Sequence, residues 1–295
     1  MSATSTRRRG WLMAIRPPTL SVGAAPVAVG TAIAAVSGGF DALPALLALV
    51  GALLLQIASN IANDVYDFRK GADTEDRLGP PRAASSGLLS ESELMVGLAA
   101  VLAAALACGL ALTALAGWPI LAIGLAGMVS AVAYTGGPYP LGYHGLGDVF
   151  VFAFFGLAAV VGTTFAQTGT WEPLALALGA ALGCFGAGVL TVNNIRDLDG
   201  DRLVGKRTLA VRMGRHAARG YYAALMGAPF AIVLAAVAGG GLPLWSLVVC
   251  LTAPRAWSLV RTVASTREGA ALNGALAGTA KLQAIFSALL VASLL

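Results

Sequence analysis

A chain of 295 residues that is 58% hydrophobic and only 11% charged cannot cover its own surface in water, because soluble domains carry about 25% charged residues. With a mean hydropathy of +0.80 it reads as a polytopic membrane protein, and a soluble fold is excluded. The net charge of +5 would point to nucleic acid in a soluble protein. Here basic loops on one side of a membrane account for it, and no nucleic-acid partner is expected.

The amino terminus sets Arg7, Arg8 and Arg9 before an apolar segment, but Arg16-Pro17-Pro18 interrupts it before a signal-peptide core is complete. Residues 1–18 are expected to be an uncleaved cytoplasmic start, with Trp11 to Ile15 as a short interfacial helix ended by the prolines. A spanning helix needs about 20 apolar residues. On that rule the chain forms one membrane domain, 1–295, with nine spans near 19–37, 43–63, 94–116, 118–135, 147–167, 173–193, 220–239, 243–263 and 274–294. The fold class is therefore all-α, a polytopic helical bundle rich in Gly and Ala, residues that let helices approach closely in lipid. Cys108, Cys184 and Cys250 lie inside apolar runs without C-x-x-C spacing and read as small core residues.

Charge orients the bundle. The loop after span 2 holds Arg69, Lys70, Arg77 and Arg82, and the loop after span 6 holds Arg196, Arg202, Lys206, Arg207, Arg212, Arg215 and Arg219. The opposite loops, near Asp41, Trp118, Glu172 and Gly240, have no Lys or Arg, so the basic ends face the cytoplasm.

Those two basic loops also carry the acids. Asn60, Asn63, Asp64 and Asp67 close span 2 at helical spacing, Gly71 ends the turn, and Asp73 follows on the loop. The pattern returns 130 residues later as Asn193, Asp197 and Asp201, at i, i+4 and i+8. The even offset implies a parallel repeat, spans 1–4 against 5–8, with span 9 appended. A mixed-charge loop on its own is commonly just solvated. Two matching carboxylate-and-amide faces at one membrane depth are costly without a function. Oxygen donors without His or Cys select a hard cation, Mg²⁺ over Zn²⁺, and Mg²⁺ completes its shell with phosphate oxygens. Two ions bridging a diphosphate fit the pair. Asn63, Asp67, Asp73, Asn193, Asp197 and Asp201 are the expected metal ligands, and Lys70, Arg77, Arg82, Lys206 and Arg207 would take the remaining phosphate charge.

A third component lies between spans 4 and 5. Tyr134, Tyr139, Tyr143 and His144 cluster with Gly136, Gly137, Pro138 and Pro140, followed by Asp148. Aromatic faces there either meet a cation or form an interfacial belt. His144 or a tyrosine would orient a bound ligand, and Asp148 would meet that ligand or a basic residue of another loop. Lys281, about two turns into span 9, either snorkels or reaches the polar cavity.

Asn63-Asp64-x-x-Asp67 with trailing Asp73, together with Asn193-x-x-x-Asp197-x-x-x-Asp201, resembles the UbiA superfamily of intramembrane prenyltransferases over nearly the whole chain. The stretches NDVYDFRKGADTEDRLGPPR, YTGGPYPLGYHGLGDVFVFAFFG, NNIRDLDGDRLVGKRTLAVRMG and RPPTLSVGAAPVAVGTA are similar to its naphthoate-prenylating branch. Gly71 stands where the superfamily's first motif has a third acid, a displacement that branch shares. The resemblance implies a nine-helix bundle around a central cavity open to the cytoplasmic side of the inner membrane. It implies Mg²⁺-dependent transfer of a polyprenyl group from its diphosphate to 1,4-dihydroxy-2-naphthoate, with loss of CO₂ to give demethylmenaquinone. It implies catalytic roles for Asp67, Asp197, Asp201, Tyr134 and Lys206, and substrate binding by Asn60, Lys70, Arg77, Arg82, Tyr139, Tyr143, His144, Asp148, Arg207 and Lys281. Prenylation of 4-hydroxybenzoate, homogentisate or haem is the nearest alternative, and a secondary transporter the alternative of another class.

Overall fold

The structure is a computed structural model that describes residues 3–71 and 78–295, with side chains from Thr6 onward. Asp73 and Arg77 fall outside the described residues. Among the described residues there is no strand. The helices are α1 (Ala3–Ile15), α2 (Leu20–Val36), α3 (Ala42–Arg69), α4 (Glu91–Ala116), α5 (Trp118–Ala133), α6 (Gly147–Thr168), α7 (Pro173–Arg196), α8 (Leu198–Leu203), α9 (Leu209–Ala238), α10 (Leu244–Ser265) and α11 (Gly269–Leu294).

Among the described residues eight helical stretches are long and apolar enough to cross a membrane, and α5 is a shorter apolar helix beside them. The chain is a multi-pass membrane protein. The interfacial segment is longer than Trp11 to Ile15: α1 begins at Ala3 and stops at Arg16, whose φ of 54° turns the chain into the Pro17–Thr19 turn.

Local chemistry sets the other boundaries. Asp41 caps α3 by accepting from the Leu43 amide at 3.0 Å. Ser90 and Glu93 form a reciprocal capping box at the start of α4. α3 continues to Arg69, well past the apolar run, so Asn60, Asn63, Asp64 and Asp67 occupy its last turns.

Two helices depart from regular geometry where glycine allows close approach. Within α6, residues Ala153–Ala158 form a π segment. There a Cβ on Gly156 would stand 2.4 Å from the Gly183 Cα and 2.5 Å from the Gly179 carbonyl oxygen, so α6 and α7 touch backbone to backbone. Gly214 bends α9 with φ 76° and ψ 161°.

The most extensive pairs are α3 with α4 and α7 with α9, the second and third spans of each half, while α2 and α6, the first spans, also pack together. α11 packs against α2 and α7. Phe185 on α7, Phe230 on α9 and Phe286 on α11 meet edge to face, with centroids 5.1–6.4 Å apart. Tyr222 and Thr279 hydrogen-bond at 2.8 Å inside the same core, so neither hydroxyl is left without a partner.

Candidate active site

The end of α3 divides its polar residues between anchoring and the site. Asp64 is fully buried and accepts the amides of Ala83 and Ala84 at 3.0 and 3.1 Å, pinning the loop that follows the first acid cluster. Three residues on, Asp67 faces the interior with 2% exposure. Its Oδ2 accepts from the Arg82 guanidinium at 2.9 Å, and its Oδ1 accepts from the Tyr143 hydroxyl at 2.9 Å. Asn63 accepts from the Thr135 hydroxyl at 3.0 Å.

The second cluster is not one continuous helical face. α7 ends at Arg196, Asp197 is the junction residue with φ −91° and ψ 3°, and Asp201 sits on the short helix α8. Across this break the i, i+4 amide-to-carbonyl bonds persist, from Asp197 to Asn193 at 3.1 Å and from Asp201 to Asp197 at 2.7 Å. Lys206, beyond α8, donates its amide to the Asp201 carbonyl at 2.8 Å. Its Nζ lies 3.8 Å from Asp67 Oδ1 and 3.9 Å from Asp201 Oδ1. One ammonium thus joins acids 134 residues apart, and the two clusters meet.

The loop from Tyr134 to Leu146 closes over this junction. Lys70 Nζ lies 4.3 Å and Lys206 Nζ 5.0 Å from the centre of the Tyr143 ring, so the ring faces two ammonium groups. Burial, then the negative charge of Asp67, push the Tyr143 phenol above its usual pKa, which keeps it a donor. Burial lowers the Lys70 ammonium.

Below the polar junction runs a cavity of about 870 Å³. Asn63, Asp67, Arg82, Tyr134, Asn193, Arg196 and Lys206 line its polar end. Leu112, Ile120, Ile123, Gly124, Phe154 and Ala166 line the apolar remainder. The lining extends along α3 from Ala48 to Asp67, roughly 28 Å at 1.5 Å per residue. A charged head with a long apolar body matches an amphiphile whose tail needs most of a bilayer leaflet-to-leaflet depth.

A family model described as the UbiA prenyltransferase family matches residues 24–282. The chain belongs to that family. It is 41% identical to the 1,4-dihydroxy-2-naphthoate octaprenyltransferase of Escherichia coli, over 75% of this chain and 74% of that protein. It is 38% identical to the protein of the same name from Mycobacterium tuberculosis, over 88% and 87%. A UbiA homologue from Aeropyrum pernix superposes with a TM-score of 0.73 at 20% identity, covering 93% of this chain and 98% of that one. A homologue from Archaeoglobus fulgidus, solved with DMAPP and Mg²⁺, gives 0.69 at 18%, covering 97% and 99%.

Within this UbiA-family bundle the expected site residues separate into groups. Asp67, Arg82, Tyr143, Lys206 and Asp201 are brought together directly. Asn193 and Asp197 form a second group held by Arg196, which donates to both, and Asn193 and Arg196 line the same cavity as Asp67 and Lys206. Asn60 lines the cavity, yet its amide donates to the Ile15 carbonyl at 2.8 Å and the Thr19 hydroxyl at 3.0 Å, tying α3 to the α1–α2 turn. Tyr139 is exposed and stacked on His144 at 3.6 Å, and His144 Nδ1 is 2.8 Å from the Pro140 carbonyl oxygen. Those two rings shape the loop outside the cavity lining. Asp148 is buried and accepts from the Thr191 hydroxyl at 2.9 Å. Arg207 is exposed, and its amide donates to the Tyr143 carbonyl at 3.0 Å. Lys281 is exposed and absent from the cavity lining described here.

Sequence reasoning passed over Arg196, counting it only as a cytoplasmic cation, and Asn273, an amide near the start of α11. Both line the cavity. The available signal was Arg196 lying between two expected ligands, Asn193 and Asp197. Among the described residues no three carboxylates, imidazoles or thiols form a self-sufficient metal site. The donors are carboxylates and amides in two incomplete sets, which suits a hard cation that shares its shell with a phosphate ligand.

Proposed function

We propose that this protein transfers a polyprenyl group from an allylic polyprenyl diphosphate to 1,4-dihydroxy-2-naphthoate, with loss of CO₂, giving demethylmenaquinone and diphosphate. The observation that carries the reading is the meeting of Asp67 and Asp201 on Lys206 at the polar end of a long apolar cavity. The relatives named 1,4-dihydroxy-2-naphthoate octaprenyltransferase, at 31–41% identity, support the acceptor.

The residues divide the work. Arg82, Lys206 and Lys70 are placed to hold diphosphate oxygens as negative charge grows on the leaving group. Asn63 and Asp67 on one side, and Asn193, Asp197 and Asp201 on the other, would hold Mg²⁺, two ions in our reading. When bound, the metal neutralises the departing diphosphate. Tyr134 and Phe154 line the cavity, where their aromatic rings would stabilise the cationic allyl carbon. Fixing the acceptor beside that carbon gains from orientation, and a dry cavity limits capture of the cation by water.

We place the protein in the inner membrane with its amino terminus and active site toward the cytoplasm. The support is that Arg69, Lys70, Arg82, Arg196, Lys206 and Arg207 gather at the site end of the bundle. Purified protein given one allylic diphosphate and separate acceptors tests the assignment. Product with dihydroxynaphthoate, and CO₂ released in equal amount, is expected. Turnover only with 4-hydroxybenzoate or homogentisate would assign the protein elsewhere in the family.

A further inference from the structure

The three acids at the junction each meet a cation of the chain itself. Arg82 is on Asp67, Lys206 lies between Asp67 and Asp201, and Arg196 is on Asp197. Arg196 is the most elaborate of these contacts. Its Nε donates to Asp197 Oδ1 at 2.8 Å and its Nη2 to Asp197 Oδ2 at 2.6 Å, a two-pronged grip on the adjacent residue. Nη2 also donates to the Asn193 Oδ1 at 2.8 Å, and Nη1 to the Asn273 Oδ1 at 2.6 Å. Asn273 in turn donates to the Leu78 carbonyl at 2.9 Å, reaching the loop beyond the first cluster. The Arg196 side chain is only 1% exposed, and the residue lines the cavity.

Both carboxylate oxygens of Asp197 and the Asn193 Oδ1 therefore each accept from one guanidinium. A divalent cation arriving alone would face a buried positive charge on the same oxygens. A diphosphate arriving alone would find Arg82, Lys206 and Arg196 already engaged by Asp67, Asp201 and Asp197. With both present, Asn193 and Asp197 would hold the metal and the Arg196 fork would match a phosphate edge.

We propose that Arg196 is a switchable counter-ion: it holds Asn193 and Asp197 and would turn onto the diphosphate when metal binds, so metal and diphosphate bind cooperatively. Asn273 sets the guanidinium's position from the α11 side. This inference rests on the metal-and-diphosphate part of the function proposed above and adds a residue and a binding order to it.

The test uses full-length protein in detergent and no prenyl substrate. Mn²⁺ binding alone is followed by electron paramagnetic resonance, and retention of radiolabelled inorganic pyrophosphate by dialysis with and without Mn²⁺. Reciprocal linkage requires each ligand to tighten the other by one factor, on the order of 5–150-fold for coupled sites. Arg196→Gln is expected to bind Mn²⁺ alone about tenfold more tightly and to lose about tenfold in pyrophosphate retention with Mn²⁺ present, a loss of coupling of the kind linkage defines. Arg196→Lys, which keeps the charge without the fork, falls between. Unchanged or weaker Mn²⁺ binding in Arg196→Gln, or undiminished pyrophosphate retention, would overturn the proposal. Should Arg196→Gln fail to fold, Asn273→Ala gives the same readouts, with a smaller shift in the same directions expected and no shift counting against. Wild-type prenyl transfer is scored separately. Turnover with no change of coupling in the variants defeats only this inference, and coupling without turnover upholds it while defeating the acceptor assignment.

Discussion

Asp67 accepts from Arg82 and Tyr143 while lying 3.8 Å from Lys206, so its carboxylate orders three side chains from three loops. Asp67→Asn, Asp197→Asn and Asp201→Asn are each expected to lower kcat by on the order of 10²–10³, the loss seen when one preorganised electrostatic group is removed. Asp67→Asn and Asp197→Asn should also lower thermal stability, since each takes away the charge that a buried guanidinium holds, whereas Asp201→Asn should melt closer to wild type; full activity in all three would remove the metal assignment. Tyr143 makes a finer test. Its phenol has a raised pKa, so the folded protein keeps the proton above pH 10, where an unfolded chain has begun to lose it. Stability from this group is complete below pH 10 and declines above it. Any alkaline fall in kcat/KM below pH 10 must then come from another group, and Tyr143→Phe should show the same alkaline limb with a lower plateau. A limb that vanishes in Tyr143→Phe would contradict the assignment. At this scale the acids were readable because Asn and Asp repeat with fixed spacing in an otherwise apolar chain. Arg196 was hidden because a basic residue at an inner loop is what membrane orientation alone would place there.

The helices show where pattern suffices and where packing decides. Long apolar runs located the spans, and their order predicted that α3 and α7 end at one site. The run of Asn193, Asp197 and Asp201 could not reveal that α7 stops at Arg196, because nothing in residues 193–201 breaks a helix as proline would. The π segment of α6 was equally silent, since it arises from Gly156 meeting Gly179 and Gly183 across an interface. That contact predicts that Gly156→Ala destabilises by about 1–3 kcal/mol through overpacking. Gly227→Ala, with open space at its Cβ, should be neutral to slightly stabilising by comparison. Equal melting temperatures for the two variants in detergent would disprove the close approach. Asp64→Ala leaves the amides of Ala83 and Ala84 without their acceptor and should cost about 1–3 kcal/mol, with faster proteolysis of the loop after α3. Unchanged proteolysis would show that other contacts hold that loop.

Across the whole molecule, the ends of α3 and α7 bring the two acid clusters together at one end of a cavity whose remaining length is apolar. Gly124 faces open space in the cavity lining, about 15 Å along α5 from Tyr134 at 1.5 Å per residue. Gly124→Leu should leave turnover of a short allylic diphosphate within about twofold while reducing kcat/KM for a long-chain donor by roughly tenfold, the loss from one misfitted hydrophobic contact. Equal effects on both donors would move the tail elsewhere. The family and its bundle were legible because four separated motifs survive in order. The shape of the cavity was not, since Ala, Leu and Gly line it as they line every span. The central claim is that two acid clusters joined at Lys206 use magnesium to release diphosphate from a prenyl donor. The direct measurement is product formation from dihydroxynaphthoate and an allylic diphosphate in Mg²⁺, in EDTA, and after Mg²⁺ is restored. Demethylmenaquinone should form, stop and resume; synthesis that continues undiminished in EDTA would contradict the account.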